Sequence, residues 1–168
     1  MIREMNWYLI IKFLHILAVT ITIGGMFARQ LVRSVARKSD DIKIVKSLTD
    51  MAIRIDRGMV IPWSNLIFLA GIVLAIMQKW PIFGFLQGAS QNWLLVSNLL
   101  LIIMIVLIPT VFIPHNKKVE SLLQIALAES RVTTELSAAL NDRTSKLAHH
   151  AEEIIILVIT ALMVLKPF

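Results

Sequence analysis

The sequence predicts an all-α integral membrane protein built as a four-helix bundle, and three observations carry that expectation. Of the 168 residues, 57% are hydrophobic and only 17% charged, too much apolar surface and too few charges for a soluble domain of this length. The apolar residues are gathered into runs, several of them long enough to cross about 30 Å of hydrocarbon, which takes about 20 helical residues. Lysines and arginines cluster between particular runs instead of being scattered. In lipid a continuous apolar run satisfies its backbone N–H and C=O groups only as a helix.

The first run covers residues 7–27. It has no small-residue cleavage site and is followed by a basic segment, so it reads as a retained span and not as a signal peptide. The second and third runs cover 59–78 and 92–113. The last is shorter, Ile154 to Leu165 with Lys166 and Pro167 behind it, and spans only as a helix over 149–168 with the terminal residues as its anchor. Both long connections read as helical. In Ser39 to Arg57, Ile42, Val45, Leu48 and Met51 alternate with charges, and Ser39 and Asp40 offer N-cap oxygens. Such a helix either extends span two or lies on the membrane surface, and Lys118 to His150 reads the same way. With no internal repeat, Gly/Ser linker or low-complexity tract, residues 1–168 read as one membrane domain.

Orientation follows from the basic residues. The connection 28–58 carries Arg29, Arg33, Arg37, Lys38, Lys43, Lys46, Arg54 and Arg57, and 114–148 carries Lys117, Lys118, Arg131, Arg143 and Lys146, whereas the segment between spans two and three has only Lys79. The positive-inside rule therefore puts both long connections in the cytoplasm and both termini outside, in a multi-pass protein of the cell membrane. Trp7, Tyr8, Trp80 and Trp93 then form an outer aromatic belt, with Trp63 near the inner one. The formal net charge of +6 is accounted for by this topology and by the lipid bilayer as partner, so no nucleic acid is called for. The absence of cysteine excludes disulfides, thiolate nucleophiles, iron–sulfur clusters and cysteine zinc sites. No phosphate-binding loop or serine triad is present, and no catalytic residue is identified.

One ionisable side chain, His15, lies inside the first run with Lys12 a turn before it. At that depth it has lost its water and needs a partner. Steps of three and four from Lys12 give His15, Ala18, Thr22, Gly25 and Arg29, a polar and small stripe that should face the bundle. Span two offers Asn65 and the small pair Gly71 and Ala75, and span three offers Ser97 and Asn98, with both asparagines expected to point inward.

The stretch Lys12-Phe13-Leu14-His15-Ile16, followed by Gly24, Gly25 and an arginine, resembles the first helix of a family of small integral membrane proteins of unknown function. Further matches are Asp56-Arg57-Gly58-Met59-Val60-Ile61-Pro62 leading to Ala70-Gly71, Asn92-Trp93-Leu94, and the terminal Leu162-Met163-Val164-Leu165-Lys166-Pro167. More distantly, the first two spans resemble protoporphyrinogen IX oxidase of the HemJ type, in a Lys-x-x-His on the first helix and an Arg-x-x-x-x-Pro opening the second. That resemblance implies haem b, with His15 as the axial ligand. At the place where those enzymes carry a lysine early in the third helix, this chain has Ser97 and Asn98, so the likeness does not extend to that group.

Under the haem reading, Lys12 and Arg29 are candidate partners for porphyrin propionates, and Thr22 and Asn98 candidate donors around the group. His15 lies about 12 Å inward of Trp7 at 1.5 Å per residue. His115, His149 and His150 lie near the opposite face, so a bis-histidine haem within one chain is disfavoured. Thr160, Met163 and Met104 are nearer in depth, which favours a methionine or an open sixth position. A weaker metal constellation is His149, His150 and Glu153, where helical spacing sets each imidazole against a carboxylate. The plain alternative for it is a helix N-terminus whose dipole favours carboxylates.

Two function classes are therefore open. One is a haem-binding redox protein. The other is a non-catalytic membrane subunit or scaffold, a homo-oligomer or part of a larger membrane complex, whose stripe packs helices or a partner.

Overall fold

Asn6 opens the first helix, α1 (Trp7–Ala36), by accepting from the Leu9 amide. The computed structural model describes residues 6–167, whose regular structure is helical, with no strand among the described residues. A turn then leads into α2 (Ile42–Ile55). Its cap is Asp41, one residue later than the sequence suggests: the Asp41 carboxylate accepts from the Lys43 amide at 2.8 Å, while Ser39 Oγ accepts from the Asp41 amide. Of the two arrangements expected for this connection, the chain takes the first. α2 runs through a π-helical turn, Asp56–Val60, into α3 (Ile61–Met77) without a break.

Span three is built the same way. α4 (Trp93–Leu107) passes through a second π-helical turn, Ile108–Phe112, into α5 (Ile113–Ala128). Both wide turns coincide with proline. Pro62 stands just after the first, Pro109 lies within the second and Pro114 just after it. Proline lacks the N–H its turn needs and crowds the carbonyl four residues back, so the helix widens there instead of stopping. After α6 (Thr134–Leu140), capped by Thr133, the chain turns at Asn141 and Asp142 into α7 (Arg143–Leu165). α7 thus begins two turns before the predicted edge of span four. Phe168, the last residue assigned to that span, lies outside the described residues.

Four helical stretches, Trp7–Ala36, Ile42–Met77, Trp93–Ala128 and Thr134–Leu165, are long and apolar enough to cross a membrane. α1 packs on α3 and α2 and touches α7, and α7 packs on α4. Three apolar clusters lie along the stack. At the tryptophan end Ala75, Trp93 and Leu94 gather with Trp80, Ile82 and Met163. Deeper, Met26, Val60 and Ile156 meet Ile23 and Met104. Beyond the apolar spans, α2, α5 and α6 bury Ile42, Val45, Val119, Leu123, Leu136 and Ala139 in a core of their own. Residues 42–55 and 113–140 are thus a packed helical layer at the Lys/Arg-rich end, which explains why their hydrophobic residues recur at helical spacing among charges.

Two details differ from expectation. Trp93 is 1% exposed, and its ring meets that of Trp80 edge-on at 5.2 Å with the Lys166 ammonium 4.1 Å from the Trp80 ring centre. It is a core residue of the tryptophan end, not a belt residue. Asn65 is exposed and not turned inward, while Asn98 does find a partner, donating to the Ile82 carbonyl at 3.2 Å.

Candidate functional site

The polar stripe of α1 meets other helices at three levels. Nearest the tryptophan end, His15 Nδ1 lies 3.1 Å from the Ile67 carbonyl of α3. Gly71 makes room for the ring, since a Cβ there would stand 3.3 Å from His15 Cε1. α1 packs closely on α3, as the small pair predicted on span two expects, and at Gly71 the space is taken by the imidazole. In the middle, a Cβ on Gly25 would stand 2.9 Å from the Met59 Cβ and 3.1 Å from Val60 Cγ2, so glycine alone permits this approach of α1 to the π-helical turn.

The third level is a cluster of buried charges. Arg29, 5% exposed, donates from Nη1 to Asp56 Oδ1 at 2.7 Å and from Nη2 to Glu152 Oε2 at 2.6 Å. One guanidinium thereby joins α1 to the α2–α3 rod and to α7. Arg33, one turn further on, reaches the second Asp56 oxygen at 3.4 Å and also bonds His149 Nε2. His149 Nδ1 faces Glu152 at 3.2 Å, and Phe112 from the second π-helical turn stacks on the imidazole at 4.5 Å between ring centres. A neutral imidazole with its proton on Nδ1 satisfies both neighbours: Nδ1–H donates to the Glu152 carboxylate and the Nε2 lone pair accepts from Arg33. Two guanidinium and two carboxylate charges balance. Arg29 is 22 residues from Trp7, about 33 Å along the helix, so the cluster sits where the hydrocarbon ends.

Both wide turns contribute to this cluster, Asp56 from one and Phe112 from the other. Wide turns of this kind are frequent at functional sites. Sequence reasoning selected Arg29 and His149, and set His149 against Glu152 and Glu153 by helical spacing, but did not select Arg33, Asp56 or Phe112. A legible signal was present: Arg33 continues the Lys12 stripe by one more turn, and Asp56 is an acid at the edge of an apolar run.

The five residues nominated for haem are differently placed. Lys12 is exposed, near the Tyr8 ring. Thr22 is buried, with no partner for its hydroxyl oxygen. Arg29 is 14 residues from His15, about 21 Å, beyond the reach of one porphyrin, and its charge is already matched by two carboxylates. Asn98 is held by the loop carbonyl of Ile82. Among the possible sixth ligands, Met104 packs with Met26 and Ile156, deeper than His15, and Met163 packs with the tryptophans. The residues present do not assemble into one haem site.

At the other constellation, His149 turns to Glu152 while His150 turns to Glu153 at 3.4 Å, so the two imidazoles point to different acids. Among the described residues no three metal-ligating side chains converge. Glu152 lies in the third turn of α7, so the helix-dipole account of these carboxylates does not apply; ion pairing holds Glu152.

Residues 9–167 match the model of a family described as predicted integral membrane protein (DUF2269). No curated protein and no solved structure matches the chain.

Proposed function

We propose, from the premise that the chain belongs to this family of predicted integral membrane proteins, that it is a non-catalytic membrane scaffold subunit whose α1 stripe holds the helices in register. The observation that carries this reading is Arg29, bonded at once to carboxylates from two other helices. His15, Gly25 and Arg33 support it, because each is engaged by a neighbouring helix. In this reading the chain is one membrane domain of the cell membrane, with both Lys/Arg-rich connections in the cytoplasm, and it works within a homo-oligomer or a larger membrane complex. The likeness to HemJ-type oxidases is confined to the Lys12/His15 and Arg57/Pro62 spacings.

Purified in mild detergent, the protein is expected to be colourless and to co-purify with a larger assembly. His15→Ala should lower its melting temperature by a few degrees, consistent with the loss of one hydrogen bond and some packing, about 1–2 kcal/mol. A Soret band that disappears in His15→Ala would replace this reading with the haem reading. Orientation has its own test. Because the natural chain lacks cysteine, single substitutions report cleanly: Ser47→Cys in intact cells should be shielded from an impermeant thiol reagent and Ser90→Cys labelled. The reverse pattern would invert the topology.

A further inference from the structure

His149 is the one member of the charge cluster whose charge changes near neutral pH, since imidazole ordinarily titrates at about 6.5 and guanidinium and carboxylate groups far from it. Its ring is buried, with the residue 3% exposed, and both ring nitrogens are engaged. Nδ1 faces Glu152 of the same helix at 3.2 Å, and Nε2 meets Arg33 of α1. Glu152 in turn is held by Arg29 at 2.6 Å, and Asp56 faces both guanidiniums. The second π-helical turn also packs on the ring and brings the uncharged Phe112. α4 approaches α7 further toward the tryptophan end, where Met104 meets Ile156. Arginine is a donor only, so Arg33 stays bonded to His149 only while Nε2 keeps its lone pair. A proton on Nε2 would set N–H against N–H, and three cations would then share two carboxylates. Arg33 is the group able to yield. Its side chain is 18% exposed against 6% for Arg29, and its bond to Asp56, at 3.4 Å, is longer than either bond of Arg29.

We propose that the Arg33–His149 contact is a proton-operated latch between α1 and α7, closed while the imidazole is neutral and opened when its protonation expels Arg33, so that the Lys/Arg-rich end of α1 moves away from α7. Arg29 and Glu152, nearer the tryptophan end, stay bonded, so the bundle persists while its far end loosens. The inference rests on the scaffold reading, in which the α1 stripe holds the helices together, and gives that hold a regulator: the proton concentration at the basic face.

The test is a distance measurement between α1 and α7 in the full chain. Val35 and Leu147 are exposed and the chain has no cysteine of its own, so Val35→Cys/Leu147→Cys carries two spin labels clear of the cluster. Electron paramagnetic resonance in lipid nanodiscs is recorded at about pH 7.5 and about pH 5.5, on either side of the ordinary imidazole range. One narrow distance is expected at the higher pH, and a second population, longer by several ångströms and reversible, at the lower. His149→Gln keeps an oxygen to accept from Arg33 but does not titrate, and should hold the narrow distance at both. Arg33→Gln removes the cation to be expelled and should do the same; it carries the test if the melting temperature shows that His149→Gln does not fold. His115→Ala and His150→Ala should respond as wild type does. A wild-type distance that ignores pH would overturn the latch, as would a response that persists in His149→Gln and Arg33→Gln or is lost in His115→Ala or His150→Ala. None of these results touches the scaffold reading, which fails on a Soret band instead.

Discussion

Arg29→Met is expected to lower stability by about 3–5 kcal/mol, the range for removing one partner of a buried ion pair. Folded domains commonly have about 5–15 kcal/mol in total, so little properly packed protein should remain. The size of the effect comes from what is left behind. Asp56 and Glu152, with side chains 18% and 10% exposed, would keep carboxylates at the edge of the hydrocarbon without the guanidinium that faces both. Arg29→Lys keeps the charge but has no planar fork with which to bridge two acids, and should fall between. The decisive variant removes one charge of each sign: Arg29→Met/Glu152→Gln leaves Arg33 facing Asp56 with no unmatched charge and should recover much of the loss. Thermal melts in detergent compare the four proteins. A double variant no more stable than the single would show that charge matching is not what Arg29 provides.

Gly25→Val should cost about 3 kcal/mol, toward the upper end for forcing extra carbons into a packed contact. The first added carbon alone would sit 2.9 Å from the Met59 Cβ, and α1 would have to back away from the π-helical turn that carries Asp56. The displacement would also stretch the Arg29–Asp56 pair one turn further along. Gly24→Ala is the matched control: nothing stands within 4 Å of a Cβ at that position, and alanine is the better helix former by about 0.5–1 kcal/mol. Melting temperatures should therefore move in opposite directions for adjacent glycines. Equal losses at both would mean that α1 and the turn do not meet at Gly25.

The four spans were readable from residue type alone, because an apolar run of about twenty residues has few structural options. Helicity of the connections was readable too, from the spacing of Ile42, Val45 and Leu136 among charges. Partner choice was not. Arg29 is recognisable as an inward arginine, but its acids lie 27 and 123 residues away, and nothing local to Asp56 or Glu152 says that they converge. His15 drew attention because it is isolated in a greasy helix, whereas the cluster hid within the ordinary charge density expected near a membrane face. The fate of Trp93 shows the same limit: a tryptophan at a span's edge reads as a belt residue until the loop from Trp80 is seen to fold over it.

The two wide turns have a consequence for how the long helices address their neighbours. A π-type turn closes its hydrogen bond one residue later than an α turn, so the helix beyond it is rotated by about one residue's worth, roughly 100°. Each rod therefore presents two different azimuths, one on either side of its proline: α3 is aimed at α1 while α2 also meets α5, and α4 is aimed at α7 while α5 meets α6. The turns act as fixed phase shifters. They let one continuous helix serve both the bundle and the helical layer beyond it, and they make the angle between those two neighbourhoods a matter of residue count, so that a one-residue deletion at Gly58 would re-aim an entire half-rod without altering a single contact residue.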